Sequence, residues 1–187
     1  FYSKLDNNHR PKTIFRHEIG TPIKNDILIF EEKNDRFTVG IDITSDEKYF
    51  IISSGDHTTS EVYYFLSDDK APKPQLFQKA KEGIIYSINS WGKYFYIHTN
   101  YKAEDFKICK CLHNKTNNWK DVIPAKDEVL VGGFTMLNNW MIRSETINAI
   151  PKIFVKNLLT NKEEELLFTE EEIYSPGISL KQKNRNT

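Results

Sequence analysis

Three clusters in this sequence join residue types that do chemistry in other proteins. Ser53-Ser54-Gly55-Asp56-His57 holds a hydroxyl, a carboxylate and an imidazole, the parts of a nucleophile with its base and orienting acid. Cys109-x-Cys111-x-His113 offers three ligands of the kind that bind zinc. Glu163-Glu164-Glu165 and Glu170-Glu171-Glu172 gather carboxylates that would attract a basic partner.

Spacing argues against each. A triad needs members that converge from separate elements, and five consecutive residues cannot converge, so Ser53 to His57 reads as a polar hairpin turn. None of the eight glycines brackets a serine as Gly-x-Ser-x-Gly, the strained elbow of an α/β-hydrolase. Gly92-Lys93 is the one Gly-Lys pair, and Ser87 stands where a phosphate loop needs its first glycine. On a strand, Cys109, Cys111 and His113 share a face but lie about 6.6 Å apart in succession, too far to close round one tetrahedral ion. They read as buried thiols and a strand-end histidine. His9, His17, His57 and His98 are scattered and read as strand or turn residues. The glutamate runs read as a solvated rim. No catalytic, cofactor-binding or metal-binding residue is therefore expected in this chain.

The elements around these residues are short. Candidate strands, rich in β-branched and aromatic residues and parted by Asn, Asp, Gly, Ser and Lys, fall at 37–44, 49–53, 61–66 and 75–78. They continue at 84–90, 94–99, 106–112 and 119–123, then at 129–137, 140–144, 152–158 and 165–168. Such even spacing indicates an all-β fold. The one helical candidate, 162–172, fits a closing strand as well. Lys48-Tyr49-Phe50-Ile51-Ile52 recurs 45 residues on as Lys93-Tyr94-Phe95-Tyr96-Ile97, and Asn139-Trp140-Met141-Ile142 stands 46 residues beyond that. Four strands per period in the mid-forties is the pattern of propeller blades, whose two apolar faces are buried by stacking. The aromatics Tyr49, Phe50, Tyr94, Phe95, Tyr96 and Trp140 are expected in the inter-blade core. Three strands precede Phe37 (1–5, 13–19 and 27–31) and one follows Phe168 (174–180). The expected layout is a partial blade at 1–35, whole blades at 37–79, 84–123 and 129–168, and the start of another at 174–187. The last strand can alternatively complete the first blade and close a four-bladed ring.

Composition excludes several classes. The 187 residues carry 26 Lys+Arg against 26 Asp+Glu, a net charge of zero, which argues against nucleic acid and anionic membranes as partners. The longest nearly apolar run, Val129–Leu137, is far short of the roughly 20 residues of a membrane helix. Two cysteines make no disulfide framework and point to a reducing, cytoplasmic home. The chain opens on Phe1 and not on Met, so the lack of a signal peptide carries little weight.

The assembled residues resemble the oligopeptidase B (protease II) branch of the prolyl oligopeptidase family of serine peptidases. The resemblance rests on Asp6 with Arg10-Pro11, on Phe15-Arg16-His17-Glu18-Ile19-Gly20-Thr21, on Phe30-Glu31-Glu32, and on Asp35-Arg36-Phe37. It continues through Thr58-Thr59-Ser60-Glu61-Val62, Glu82-Gly83, Tyr86-Ser87 and Thr99-Asn100. Ala103-Glu104-Asp105-Phe106-Lys107, Trp119 and Val122-Ile123-Pro124 complete it. Asp105 departs from the family's usual Asn, and the loop at Asp56-His57 from its Gly/Ser-rich form.

This resemblance implies a seven-bladed propeller covering an α/β-hydrolase domain, with this chain supplying three and a half to four blades. The catalytic triad and the acidic pocket for an Arg or Lys side chain would belong to the hydrolase domain, outside this chain. The implied role is non-catalytic: the propeller covers the active site and admits only short peptides, cut after Arg or Lys. The implied partners are the hydrolase domain of the same polypeptide and short basic peptides, with self-association through exposed blade edges. The alternative is a stand-alone four-bladed propeller that binds peptides or proteins.

Overall fold

A computed structural model describes residues 1–167. Their strands are β1 (Tyr2–Leu5), β2 (Pro11–Arg16), β3 (Ile27–Glu31), β4 (Thr38–Ile43), β5 (Tyr49–Gly55), β6 (Ser60–Leu66), β7 (Gln75–Gln78) and β8 (Tyr86–Trp91). They continue as β9 (Tyr94–Thr99), β10 (Lys107–Leu112), β11 (Lys120–Ile123), β12 (Val129–Leu137), β13 (Trp140–Ile147), β14 (Ile150–Asn157) and β15 (Glu163–Glu165). These make four antiparallel meanders in chain order, β1-β2-β3, β4 to β7, β8 to β11 and β12 to β15. The fold is all-β and its sheets are propeller blades. The chain divides into two compact units, Phe1–Ile88 and Asn89–Thr187.

In the first unit, β2 and β4 bring two sheets face to face. Alternation along each strand sends Ile14, Val39, Ile52 and Phe65 inward, where they are buried together. Phe30, Phe50 and Tyr63 pack on this cluster, and Phe1 lies 4.5 Å from Phe50 and 5.5 Å from Phe65, ring centre to ring centre. Tyr86 caps the unit: its hydroxyl donates to the Gln78 carbonyl and accepts the Val62 N–H at 3.0 Å.

In the second unit the core is Tyr96, Ile108 and Ile123 from one sheet against Val131, Met136 and Met141 from the next. β12 is bulged between Val131 and Phe134, where Gly132-Gly133 intervene. A Cβ at Gly132 would collide with Ser144 Oγ, so the bulge needs glycine there. The β13–β14 hairpin closes on Asn148 (φ 50°) and Ala149 (φ 63°), a two-residue loop with both central φ positive. That tight turn carries pairing up to Ile147↔Ile150, so β14 begins two residues before the 152–158 expected from the sequence. β8 begins two residues later than expected because the Ile84 N–H is taken by the Lys81 carbonyl in a turn, at 2.9 Å.

The closing segment expected at 165–168 begins earlier, as β15. It is strand and not helix, pairing Lys156↔Glu163 and Phe154↔Glu165. Residues from Phe168 on, including Glu170 to Glu172 and the expected strand 174–180, lie outside the described residues.

Candidate functional site

The serine-containing cluster sits at the end of β5 and in the β5–β6 turn. Ser54 is buried and its hydroxyl donates to Glu32, not to His57, which is exposed. Asp56 organises the turn: it accepts the Thr58 N–H at 2.9 Å, the Thr59 N–H at 2.9 Å and the Thr58 hydroxyl at 3.0 Å. Arg36 adds its Nη2 at 2.7 Å and Nε at 3.2 Å. The Thr58 N–H, reinforced by the guanidinium, holds the Asp56 carboxyl well below the usual carboxylate range. Ser54 and Asp56 thus have other partners, Ser53 and His57 are exposed, and within this cluster no nucleophile faces a base.

The cysteines occupy one face of β10, both buried and unpaired by any disulfide. The Cys109 thiol donates to Asp121 Oδ1 at 3.2 Å, and Lys107 Nζ reaches the same oxygen at 3.1 Å. Burial, with the Asp121 carboxylate, pushes the Cys109 thiol up to about 12, and burial alone pushes Cys111 up to about 11. Both stay protonated at neutral pH, unfit as nucleophiles or ready metal ligands. His113 falls just past β10, its Nε2 3.0 Å from Ser90 Oγ and its ring 4.4 Å from Phe95. Ser90 and His113 are a hydroxyl and a base in contact, but Ser90 is wholly buried and no substrate carbonyl can reach it. Among the described residues no three His, Cys, Asp or Glu side chains cluster as metal ligands.

The other histidines have structural partners. His98 Nε2–H donates to the Val131 carbonyl at 2.7 Å and its ring stacks on Phe106; burial pulls its basicity down. His17 Nδ1 lies 2.7 Å from Asp26 Oδ1, and the Tyr2 hydroxyl donates to Asp26 Oδ2 at 2.8 Å. His9 turns a loop with φ 58° and donates its N–H to the Asp6 carbonyl at 3.1 Å.

Sequence reasoning missed the strongest electrostatic feature of the described chain. Arg143 and Glu145, both on β13, are completely buried. Arg143 Nε and Nη2 donate to Glu145 Oε1 at 2.9 and 2.7 Å, while Nη1 and Nη2 donate to the two Glu163 oxygens at 2.7 and 2.9 Å. The guanidinium lies over the Phe154 ring at 4.7 Å, and Lys126 Nζ is 3.3 Å from both Glu145 oxygens. Lys156 approaches Glu163 at 3.7 Å, and Lys152 pairs with Glu165 at 2.9 Å. Glu163 and Glu164 are exposed, as a solvated rim requires, but the rim reading missed that Glu163 and Glu165 also hold β15 to β13 and β14. Burial raises the Glu163 carboxyl, but Arg143, Lys156 and Lys126 outweigh it and hold it below the ordinary range. The readable signal was the alternation of Arg143 and Glu145 with Met141 and Ile147 on one strand face. The aromatic expectation needs a smaller correction: Phe95 and Tyr96 are buried, Tyr49, Phe50 and Tyr94 half-buried, but Trp140 is 44% exposed. It starts β13 on the face opposite Met141.

Taken together, these side chains hold blades in register, and their polar groups are engaged in that task. Comparison with known proteins accords with such a scaffold. Protease 2 of Moraxella lacunata is 30% identical over 145 residues, covering 71% of this chain and 21% of that protein. Dipeptidyl aminopeptidase BI of Pseudoxanthomonas mexicana is 28% identical over 174 residues, covering 90% of this chain and 23% of that protein. In fold, the chain superposes on oligopeptidase B from Trypanosoma brucei, solved in a closed form with covalently bound antipain. The TM-score is 0.85 at 22% identity, over 90% of this chain and 25% of that one. Oligopeptidase B from Leishmania major gives 0.84 at 17% identity, over the same shares. The chain therefore spans about a fifth to a quarter of the length of the proteins it matches. The family described as prolyl oligopeptidase, N-terminal β-propeller domain matches residues 1–187 in full, and this chain belongs to that family.

Proposed function

We propose that the chain is the non-catalytic propeller portion of a cytoplasmic, oligopeptidase-B-like serine endopeptidase that cleaves short peptides after Arg or Lys. The observation that carries the proposal is the family match across all 187 residues, met by four antiparallel blade sheets whose polar clusters are turned to structural use. The chemistry is assigned elsewhere in the polypeptide because no serine here stands in a nucleophile elbow and the Ser90 hydroxyl that meets His113 is buried. A propeller over an active site selects by size. Its blades are held by hydrogen-bonded ladders and buried ion pairs, so a folded substrate cannot pass the narrow central channel of a propeller, whereas an extended peptide can thread it. Two buried reduced thiols suit a reducing compartment.

The test compares this chain with the full-length polypeptide on reporter peptides ending in Arg or Lys. The full-length protein is expected to turn them over and to lose activity to serine-directed inhibitors, and the chain alone to be inactive. Turnover by the chain alone that such inhibitors abolish would overturn the assignment.

A further inference from the structure

The stretch 106–120 holds Lys107, Lys110, Lys115 and Lys120 and no Asp or Glu, in a chain whose total charge is zero. Lys107 is neutralised by Asp121 at 3.1 Å. Lys110, Lys115 and Lys120 instead line a cavity of about 380 Å³ together with Tyr94, Leu112 and Asn118. Tyr94 gathers charge: Lys110 Nζ lies 4.7 Å from its ring centre, and Lys93 Nζ lies 5.5 Å from it. Two ammonium groups on one ring fall within about one Debye length of each other, roughly 10 Å at 0.1 M salt, so they repel. Among the described residues, none of Lys93, Lys110, Lys115 and Lys120 has a carboxylate within 4.0 Å. The loop that presents them is fixed in advance. The Lys115 N–H donates to the Leu112 carbonyl at 2.9 Å, the Asn118 N–H to the Lys115 carbonyl at 3.2 Å, and Trp119 Nε1–H to the Thr116 carbonyl at 2.6 Å.

We propose that this cavity binds a small, multiply charged phosphate anion. Three lysines lining one cavity, none with a carboxylate of the described residues within 4.0 Å, favour a compact ligand that carries several negative charges. Lysine recognises phosphate as a point charge, and the site has no arginine, whose planar fork matches a carboxylate. The cavity lies at the small end of ligand sites and admits a compact anion but not a polymer. The Asn118 amide adds a neutral donor, and Leu112 forms an apolar wall.

Titration of the chain with sodium tripolyphosphate by isothermal calorimetry tests the site, with citrate as a carboxylate of similar charge. One saturable site is expected, weakening as salt is raised and at least tenfold weaker for citrate. The double variant K110Q/K120Q is expected to lose at least tenfold in affinity while unfolding at the same temperature as the parent. K115Q, on the exposed loop, is expected to lose several-fold and serves if the double variant does not fold. Absence of saturable heat, equal binding of citrate, or full affinity in folded variants overturns the proposal.

Discussion

Arg143 and Glu145 show how a charged pair becomes a core element. Two residues apart on β13, they face the same way, into a layer otherwise made of Val131, Met136 and Met141. A buried guanidinium is tolerated because Glu145, Glu163 and the Phe154 ring surround it. Replacing Arg143 by Met leaves the Glu145 carboxylate buried with only Lys126 to meet it. Arg143→Met is expected to cost about 3–5 kcal/mol, read from the urea midpoint. Arg143→Met with Glu145→Leu should cost less than Arg143→Met alone, since the partly exposed Lys126 can turn to solvent. A double variant weaker than the single one would mean that the pair is not the unit of stability. Glu163 of this network and Asp56 of the β5–β6 turn together set one acid-side prediction. Glu163 is held low despite its burial by Arg143 and the lysines, and Asp56 by the Thr58 N–H and Arg36. Both are depressed carboxyls, so their stabilisation is present in full above the unfolded range, about pH 4, and is lost as pH falls through their folded values. Urea midpoints should therefore hold level from pH 7 to about 5 and drop below about 4, with a shallower drop in Glu163→Gln.

At the scale of elements, hairpin turns set register, and one is less than ideal. The β13–β14 loop has the geometry that favours Asn-Gly, yet places Ala149 at φ 63°. A left-handed alanine costs roughly 1–2 kcal/mol, and glycine gives back about 0.5–1 kcal/mol of that in lost chain entropy. Ala149→Gly should stabilise the chain by about 0.5–1 kcal/mol, raising its melting temperature by a few degrees with the strand pairing unchanged. A lower melting temperature would mean that the Ala149 methyl packs usefully. This scale is also where the sequence was most and least legible. Strand positions near Tyr49, Tyr94 and Trp140 could be placed because Lys-Tyr-Phe at 48–50 and 93–95, echoed by Asn-Trp-Met at 139–141, is a local and periodic pattern. The start of the closing strand could not: expected at 165–168, it begins at Glu163, where Glu163 to Glu165 carry neither strand propensity nor an apolar pattern and pair because Arg143, Lys152 and Lys156 await them across the sheet. Likewise Cys109, Cys111 and His113 could be placed on one element, but the partners that decide their chemistry, Asp121 and Ser90, come from neighbouring strands.

At the scale of the whole molecule, a blade is a piece designed to be covered. In the first unit, β1 has a hydrogen-bonded neighbour only in β2 among the described residues, while every other sheet has four strands. The segment joining β2 to β3 leaves Ile19 at 96% and Ile23 at 75% exposed, and Ile27 and Leu28 on β3 are exposed as well. β3 is the other edge of this three-stranded sheet, and an edge ladder of N–H and C=O groups with such apolar side chains nearby is a template for pairing with another chain. The zero net charge offers no long-range repulsion to prevent such pairing. The isolated chain is expected to self-associate as concentration rises, seen in light scattering as a mass climbing above 21.9 kDa. Ile19→Lys with Ile23→Lys, which adds charge without touching the Ile14–Val39–Ile52–Phe65 core, should shift that rise to higher concentration while leaving the melting temperature unchanged. A chain that stays monomeric throughout would show that the edges of this first sheet do not pair, and the self-association reading would fall. If the mass rises equally in parent and variant, the contact lies on another blade and the first unit is not its seat.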